Sequence, residues 1–88
     1  MNKGDKIIWN SGFGYDLGYY VSDESSVANN CVIELVSGLV HGEVSRPKKE
    51  IYPFEKTRYE MLVKAYGYVR VFPPRDENIN KEKDLFNQ

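Results

Sequence analysis

Few side chains in this chain are equipped for covalent chemistry. His41 and Cys31 are single examples of their kinds among 88 residues. Together they fall short of an ordinary zinc ligand set, which draws on about four His, Cys or carboxylate donors. Cys31 opens the alternating run Cys31-Val32-Ile33-Glu34-Leu35-Val36 and shares a strand face with Ile33 and Leu35. A thiol on such a face is kept protonated by burial and is unreactive. His41 falls on the polar side of the next run, with Glu43 and Ser45. The adjacent carboxylates Asp23 and Glu24 stand in the polar stretch 22–30, where nothing would bury them and tune them for acid–base work. Gly12-Phe13-Gly14 hints at a phosphate loop. However, Gly18 comes one position too late for a dinucleotide fingerprint, and no helix follows. The expectation is a protein that is not an enzyme, with no metal and no cofactor.

Side chains suited to binding are more plentiful. Trp9, Phe13, Tyr15, Tyr19 and Tyr20 cluster in sequence beside the acids Asp16, Asp23 and Glu24. Aromatic faces attract cations, and a tyrosine rim suits an extended or basic peptide. The competing use of these rings is as core and as plugs for the end of a small barrel. A second group, Arg46, Lys48, Lys49, Lys56 and Arg58, stands near Tyr52 and Tyr59 and has the residue types that contact phosphates and stack on bases. Net charge bears on that choice. The whole chain carries −1, but residues 1–45 carry −4, residues 46–70 carry +4 and residues 71–88 carry −1. A basic face on a neutral protein is compatible with this split, as is an acidic half facing a basic half across the fold.

The elements that must position these groups are short. Eighty-eight residues make one small domain, and seven Tyr, four Phe and one Trp give its core large apolar payloads. A single cysteine excludes an internal disulfide, the first residues lack the apolar core of a signal peptide, and no run is long enough to span a bilayer. A cytoplasmic protein without a membrane partner is expected. Strands are expected at 6–9, 17–21, 31–36, 39–45 and 50–52, the third and fourth joined by a tight hairpin at Ser37-Gly38 and the last stopped by Pro53. Trp9, Ile33, Leu35, Val44 and Ile51 are the expected core. The period then changes: Tyr59, Leu62, Val63 and Tyr66 form one helical stripe. Thr57 and Glu60 have capping-box spacing, and Gly67 is placed to end the helix. Residues 68–72 alternate again as a short strand before Pro73-Pro74, and residues 73–88 read as a polar tail.

From Gly4 to Phe54 this order of features resembles SH3-like barrels of the KOW, Tudor or Agenet kind. The resemblance lies in the Gly-Asp opening, the aromatic that ends the first strand, the glycine-rich loop, the hairpin at Ser37-Gly38, and Val44 before Ile51-Tyr52-Pro53. It implies a mainly β fold, an SH3-like barrel of about five strands over 1–54; the segment after Phe54 has no counterpart in the minimal barrel, and the helix and extended segment read over 55–72 are expected to pack on it, ahead of the tail. Such barrels serve as peptide-binding, methyl-lysine-binding, RNA-binding and structural modules; with the aromatic and acidic group above, non-catalytic binding of a protein or peptide is the expectation. The Tudor and Agenet kinds imply an aromatic cage, for which Phe13, Tyr15 and Tyr20 are candidates, with Asp16 or Asp23 as acidic neighbour. The KOW kind implies an RNA contact centred on a glycine, as in Leu17-Gly18-Tyr19. Nucleic-acid binding through Arg46, Lys48, Lys49, Lys56 and Arg58 is the alternative. A further one is an assembly subunit that forms a homodimer through the 57–66 helix.

Overall fold

A computed structural model of the chain describes residues 1–74. Five strands, β1 (Lys6–Asn10), β2 (Tyr15–Asp23), β3 (Asn30–Leu35), β4 (Gly42–Pro47) and β5 (Ile51–Pro53), form one antiparallel sheet in the order β4-β3-β2-β1-β5. A single 3-10 turn, Lys48–Glu50, joins β4 to β5, and the helix α1 (Lys56–Tyr66) follows. The described residues are therefore mainly β, with one open sheet and one helix after it. No helix among the described residues is long and apolar enough to cross a membrane.

Alternation decides what each face of the sheet carries. In β1, Ile7 and Ile8 point to opposite faces, yet both are fully buried, because the strand lies between β2 and β5 and is covered on both sides. One face gathers Ile7, Tyr20, Cys31, Ile33, Leu35 and Ile51, with Trp9 and Val44 half-buried at its margin. This is the expected core, with Trp9 and Val44 less enclosed than Ile33, Leu35 and Ile51. Tyr19 turns to the opposite face, where its ring meets Phe72 at 5.3 Å. A bulge between Tyr20 and Ser22 bends β2 and lengthens it to nine residues. Gly18 allows β2 and β3 to approach closely, since a Cβ there would collide with the Glu34 carbonyl.

The other face carries Ile8, Tyr15 and Leu17. Phe54, Tyr59, Leu62, Val63, Tyr66, Tyr68 and Phe72 pack against them. The helical stripe is thus spent on the chain's own sheet. Gly67 ends the helix in the left-handed region (φ 78°), and its N–H donates to the Val63 carbonyl at 2.8 Å, as its position implies.

Several boundaries differ from the sequence expectation. The helix begins two residues earlier than the capping box requires. Glu55 is the N-cap and no side chain caps the end, so Thr57 lies inside the first turn. The β3–β4 connection spans residues 36–41 rather than a tight Ser37-Gly38 turn, because Ser37 is drawn under β2, where its Oγ accepts from the Leu17 N–H at 2.8 Å. Leu39, Val40 and His41 therefore belong to a loop, not to β4. β4 continues through Pro47, and Pro53 belongs to β5 rather than stopping it. Residues 68–72 keep their alternation, with Tyr68, Arg70 and Phe72 half-buried and Val69 and Val71 exposed, but join no ladder. Of the tail expected at 73–88, residues 75–88 lie outside the described residues.

Candidate functional site

The five candidates Phe13, Tyr15, Asp16, Tyr20 and Asp23 do not converge on one cage. Phe13 sits at the tip of the β1–β2 loop and is 98% exposed. The loop under it is braced: the Ser11 N–H donates to the Gly14 carbonyl at 3.0 Å, and the Gly12 N–H to Asn10 Oδ1 at 3.0 Å. Tyr15 opens β2 instead of belonging to the loop, and it is only 2% exposed. Its ring stacks on Tyr68 (5.2 Å, 6° between planes) and meets Tyr59 edge-on. Burial pushes its phenol pKa up. Tyr20 lies on the opposite face of the sheet from Tyr15, with its hydroxyl donating to the Asp23 carboxylate. That bond, with burial, pushes Tyr20 up to about 12. It also holds Asp23 below the usual aspartate range, helped by Lys48 Nζ at 3.2 Å.

Two tyrosines make a reciprocal clasp beside the β1–β2 loop. The Tyr68 hydroxyl accepts from the Tyr15 N–H at 3.0 Å. The Tyr15 hydroxyl donates to the Tyr68 carbonyl and accepts from the Arg70 N–H, both at 3.1 Å. The Tyr59 hydroxyl donates to the Arg70 carbonyl at 2.6 Å. Hydroxyls thus do for residues 68–70 what a neighbouring strand would do.

Asp16 joins the pieces of this end. Its carboxylate occupies the space a Cβ on Gly38 would need, so the β3–β4 loop lies against it. Arg70 Nε stands 3.2 Å from Asp16 Oδ1, an ion-pair distance, but the two atoms are misaligned for a hydrogen bond and have no other partner. Burial raises the Asp16 pKa, and Arg70 pulls against that shift. Phe13 in the β1–β2 loop and Leu39 and Val40 in the β3–β4 loop, which follow Gly38 in the chain, are exposed, Leu39 to 99%. Sequence reasoning did not single out Leu39, Val40 or Arg70. The hairpin expectation had placed Leu39 and Val40 in a strand, and Arg70 carries no local signal of its link to Asp16.

The basic candidates are largely engaged. The Arg46 guanidinium lies over the Trp9 ring at 4.8 Å and donates to the Ser45 carbonyl, and Trp9 Nε1 donates to Glu50 Oε1 at 2.9 Å. Arg58 covers the Tyr52 ring at 4.3 Å, and Lys48 pairs with Asp23. Lys49 and Lys56 remain exposed without an ion pair among the described residues. Asn29, Asn30, Pro47, Lys48 and Lys49 line a cleft of about 520 Å³. On the helix, Glu55, Thr57, Arg58, Met61 and Leu62 line another of about 270 Å³. Cys31 is buried, its thiol pKa pushed up by that burial. No group of three or more His, Cys, Asp or Glu side chains among the described residues is arranged to hold a metal.

No protein-family model, no curated protein and no solved structure matches the chain.

Proposed function

We propose that the protein is a non-catalytic binding module that takes a protein or peptide at the end of the sheet carrying the β1–β2 and β3–β4 loops. The strand order β4-β3-β2-β1-β5, a meander whose last strand returns to pair with the first, supports the resemblance to SH3-like barrels. The observation that carries the function is the pair Phe13 and Leu39. Both are almost wholly exposed, on two loops at the same end of the sheet, and the β3–β4 loop is held against Asp16, in the strand into which the β1–β2 loop leads. Large apolar side chains displayed on braced loops are a feature of recognition surfaces. Tyr15, by contrast, serves the fold, and Phe13 is the one cage candidate left free to touch a partner.

The test is selection of a displayed random-peptide library on the native chain, followed by a Phe13→Ala/Leu39→Ser double variant. Enriched peptides that lose at least tenfold in affinity to a variant with an unchanged thermal transition support the reading. Peptides that bind the double variant as well as the native chain overturn it. A single-stranded oligonucleotide serves as the competing probe. Binding that falls steeply with salt and vanishes when Lys48 and Lys49 become Glu transfers the function to the basic surface.

A further inference from the structure

We propose that the extended segment Tyr68–Phe72 is an open strand edge, and that the partner peptide adds to it as a strand alongside Val69–Val71. The inference rests on the peptide-binding reading above and specifies how the peptide is held.

In an extended chain the N–H and C=O of one residue point to the same edge, and those of the next residue to the other. The Tyr68 carbonyl and both main-chain groups of Arg70 are taken by the hydroxyls of Tyr15 and Tyr59. That edge faces the globule. The N–H and C=O groups of Val69 and Val71 therefore point the other way, and none has a hydrogen bond among the described residues. Their side chains are 62% and 67% exposed. The result is a β-branched extended segment, backed on one edge by hydroxyls, with two donors and two acceptors unused among the described residues.

The regular edges of the sheet are blunted by contrast. On β5, the Phe54 N–H bonds the Lys6 carbonyl, which by register turns Ile51 and Pro53 outward. Pro53 has no N–H, and the Ile51 N–H is spent on the Lys48 carbonyl of the 3-10 turn. On β4, the Lys48 N–H bonds the Asn29 carbonyl, which turns Glu43, Ser45 and Pro47 outward. Pro47 lacks a donor, Arg46 covers the Ser45 carbonyl, and Glu43 adds a charge. Proline and charge are the usual means of closing an edge. Neither occurs at Val69 or Val71.

The occupant is an extended, uncharged segment of another protein, rich in β-branched residues. A second copy paired through this edge would bury only a few residues a side, far below the roughly 1,200 Å² of a stable interface. A longer peptide can continue past the edge, because Gly14 lies against the Tyr68 hydroxyl and Arg70 against Asp16, beside the loops of Phe13 and Leu39. The Asp16–Arg70 pair is internally neutralised, so this neighbourhood selects for apolar rather than charged side chains.

Peptides enriched by the native chain from the random library are the probe. Val69→Pro and Val71→Pro each remove an outward donor while leaving Tyr68 and Arg70 in place. Each is expected to weaken the peptides at least tenfold. In the native chain, the Val69 and Val71 amides should exchange freely with solvent and become protected when such a peptide binds. A copy of the peptide N-methylated at alternate residues should protect neither. The exchange measurement decides the matter even if a proline variant unfolds. Peptides lost to Phe13→Ala/Leu39→Ser but unaffected by folded proline variants overturn strand addition and leave the peptide-binding reading standing. Val69 and Val71 amides already protected in the chain alone overturn it too, because the edge is then occupied. Failure of the native chain to enrich any peptide overturns both readings.

Discussion

The two faces of the sheet are closed by different chemistry. On one, aliphatic side chains from three strands (Ile7, Ile33, Leu35 and Ile51) meet around Cys31, with a single buried ring, Tyr20. On the other, the sheet supplies Ile8, Tyr15 and Leu17, with Tyr19 against Phe72, and the cover is five aromatic rings plus Leu62 and Val63. The first face assembles from alternation alone. The second needs a helix and an unladdered segment to arrive from far along the chain, and tyrosine hydroxyls supply the backbone partners the segment lacks. The second leaves an end where loops, clasp and ion pair meet.

Four measurements would break or sharpen this contrast. Truncating Ile33 to Ala in the fully buried aliphatic face should cost about 2–5 kcal/mol in denaturant unfolding. A near-neutral result would mean that this face is not the main store of stability. Tyr15→Phe keeps the stacked ring but deletes the hydroxyl that serves both Tyr68 and Arg70, and should cost about 1–3 kcal/mol. Amide exchange should quicken at Arg70 while the β3 amides stay unchanged. An equal quickening throughout would show that the clasp and the sheet open as one unit.

The third measurement uses two acids that lean opposite ways. By NMR titration Asp16 should protonate above the ordinary aspartate value of 3.8 and Asp23 below it. Asp16 is half-buried, so desolvation of its charged form opposes folding, and that penalty is relieved as the pH falls through its raised pKa. Asp23 is stabilised by Tyr20 and Lys48, so its contribution is present above its unfolded pKa and is lost as the pH falls through the lowered one. Shifts in the same direction would remove the distinction. The smallest effect is expected at the edge: Glu43 stands directly opposite Glu34, and Glu43→Lys should raise stability by about 0.2–1 kcal/mol. A loss of stability would mean that Glu43 is engaged in the native sheet.

The aliphatic face was legible in the sequence because period-2 alternation at Cys31, Ile33 and Leu35 needs no tertiary knowledge. The helical stripe and the Gly67 stop were legible for the same reason, since each is a local pattern. Thr57 failed as a cap because Pro53-Phe54 delivers the chain so that Glu55 takes the N-cap position, a consequence of where β5 ends. Tyr15 falls outside the strand expected at 17–21 because the glycines beside it obscure the start of β2, and its burial depends on Tyr59, Tyr66 and Tyr68 more than forty residues away. Phe13 and Tyr15, two positions apart, looked equivalent in sequence; one is fully exposed and the other sealed. Val69 and Val71 did alternate with their neighbours, but nothing local revealed that hydroxyls would replace the strand on one side.

The buried thiol of Cys31 gives the molecule a built-in stopwatch. Its side chain lies at 0% exposure on β3, a strand paired on both sides. A thiol-reactive reagent in solution meets Cys31 only when β3 parts from a neighbour or the core opens around it. With one cysteine in the chain, each labelling event is a single, unambiguous count of such an opening. Under conditions where reclosing outruns labelling, the rate reads the free energy of that opening directly. The same residue that is useless for catalysis thus records how often the sheet comes apart, with no probe added to the protein.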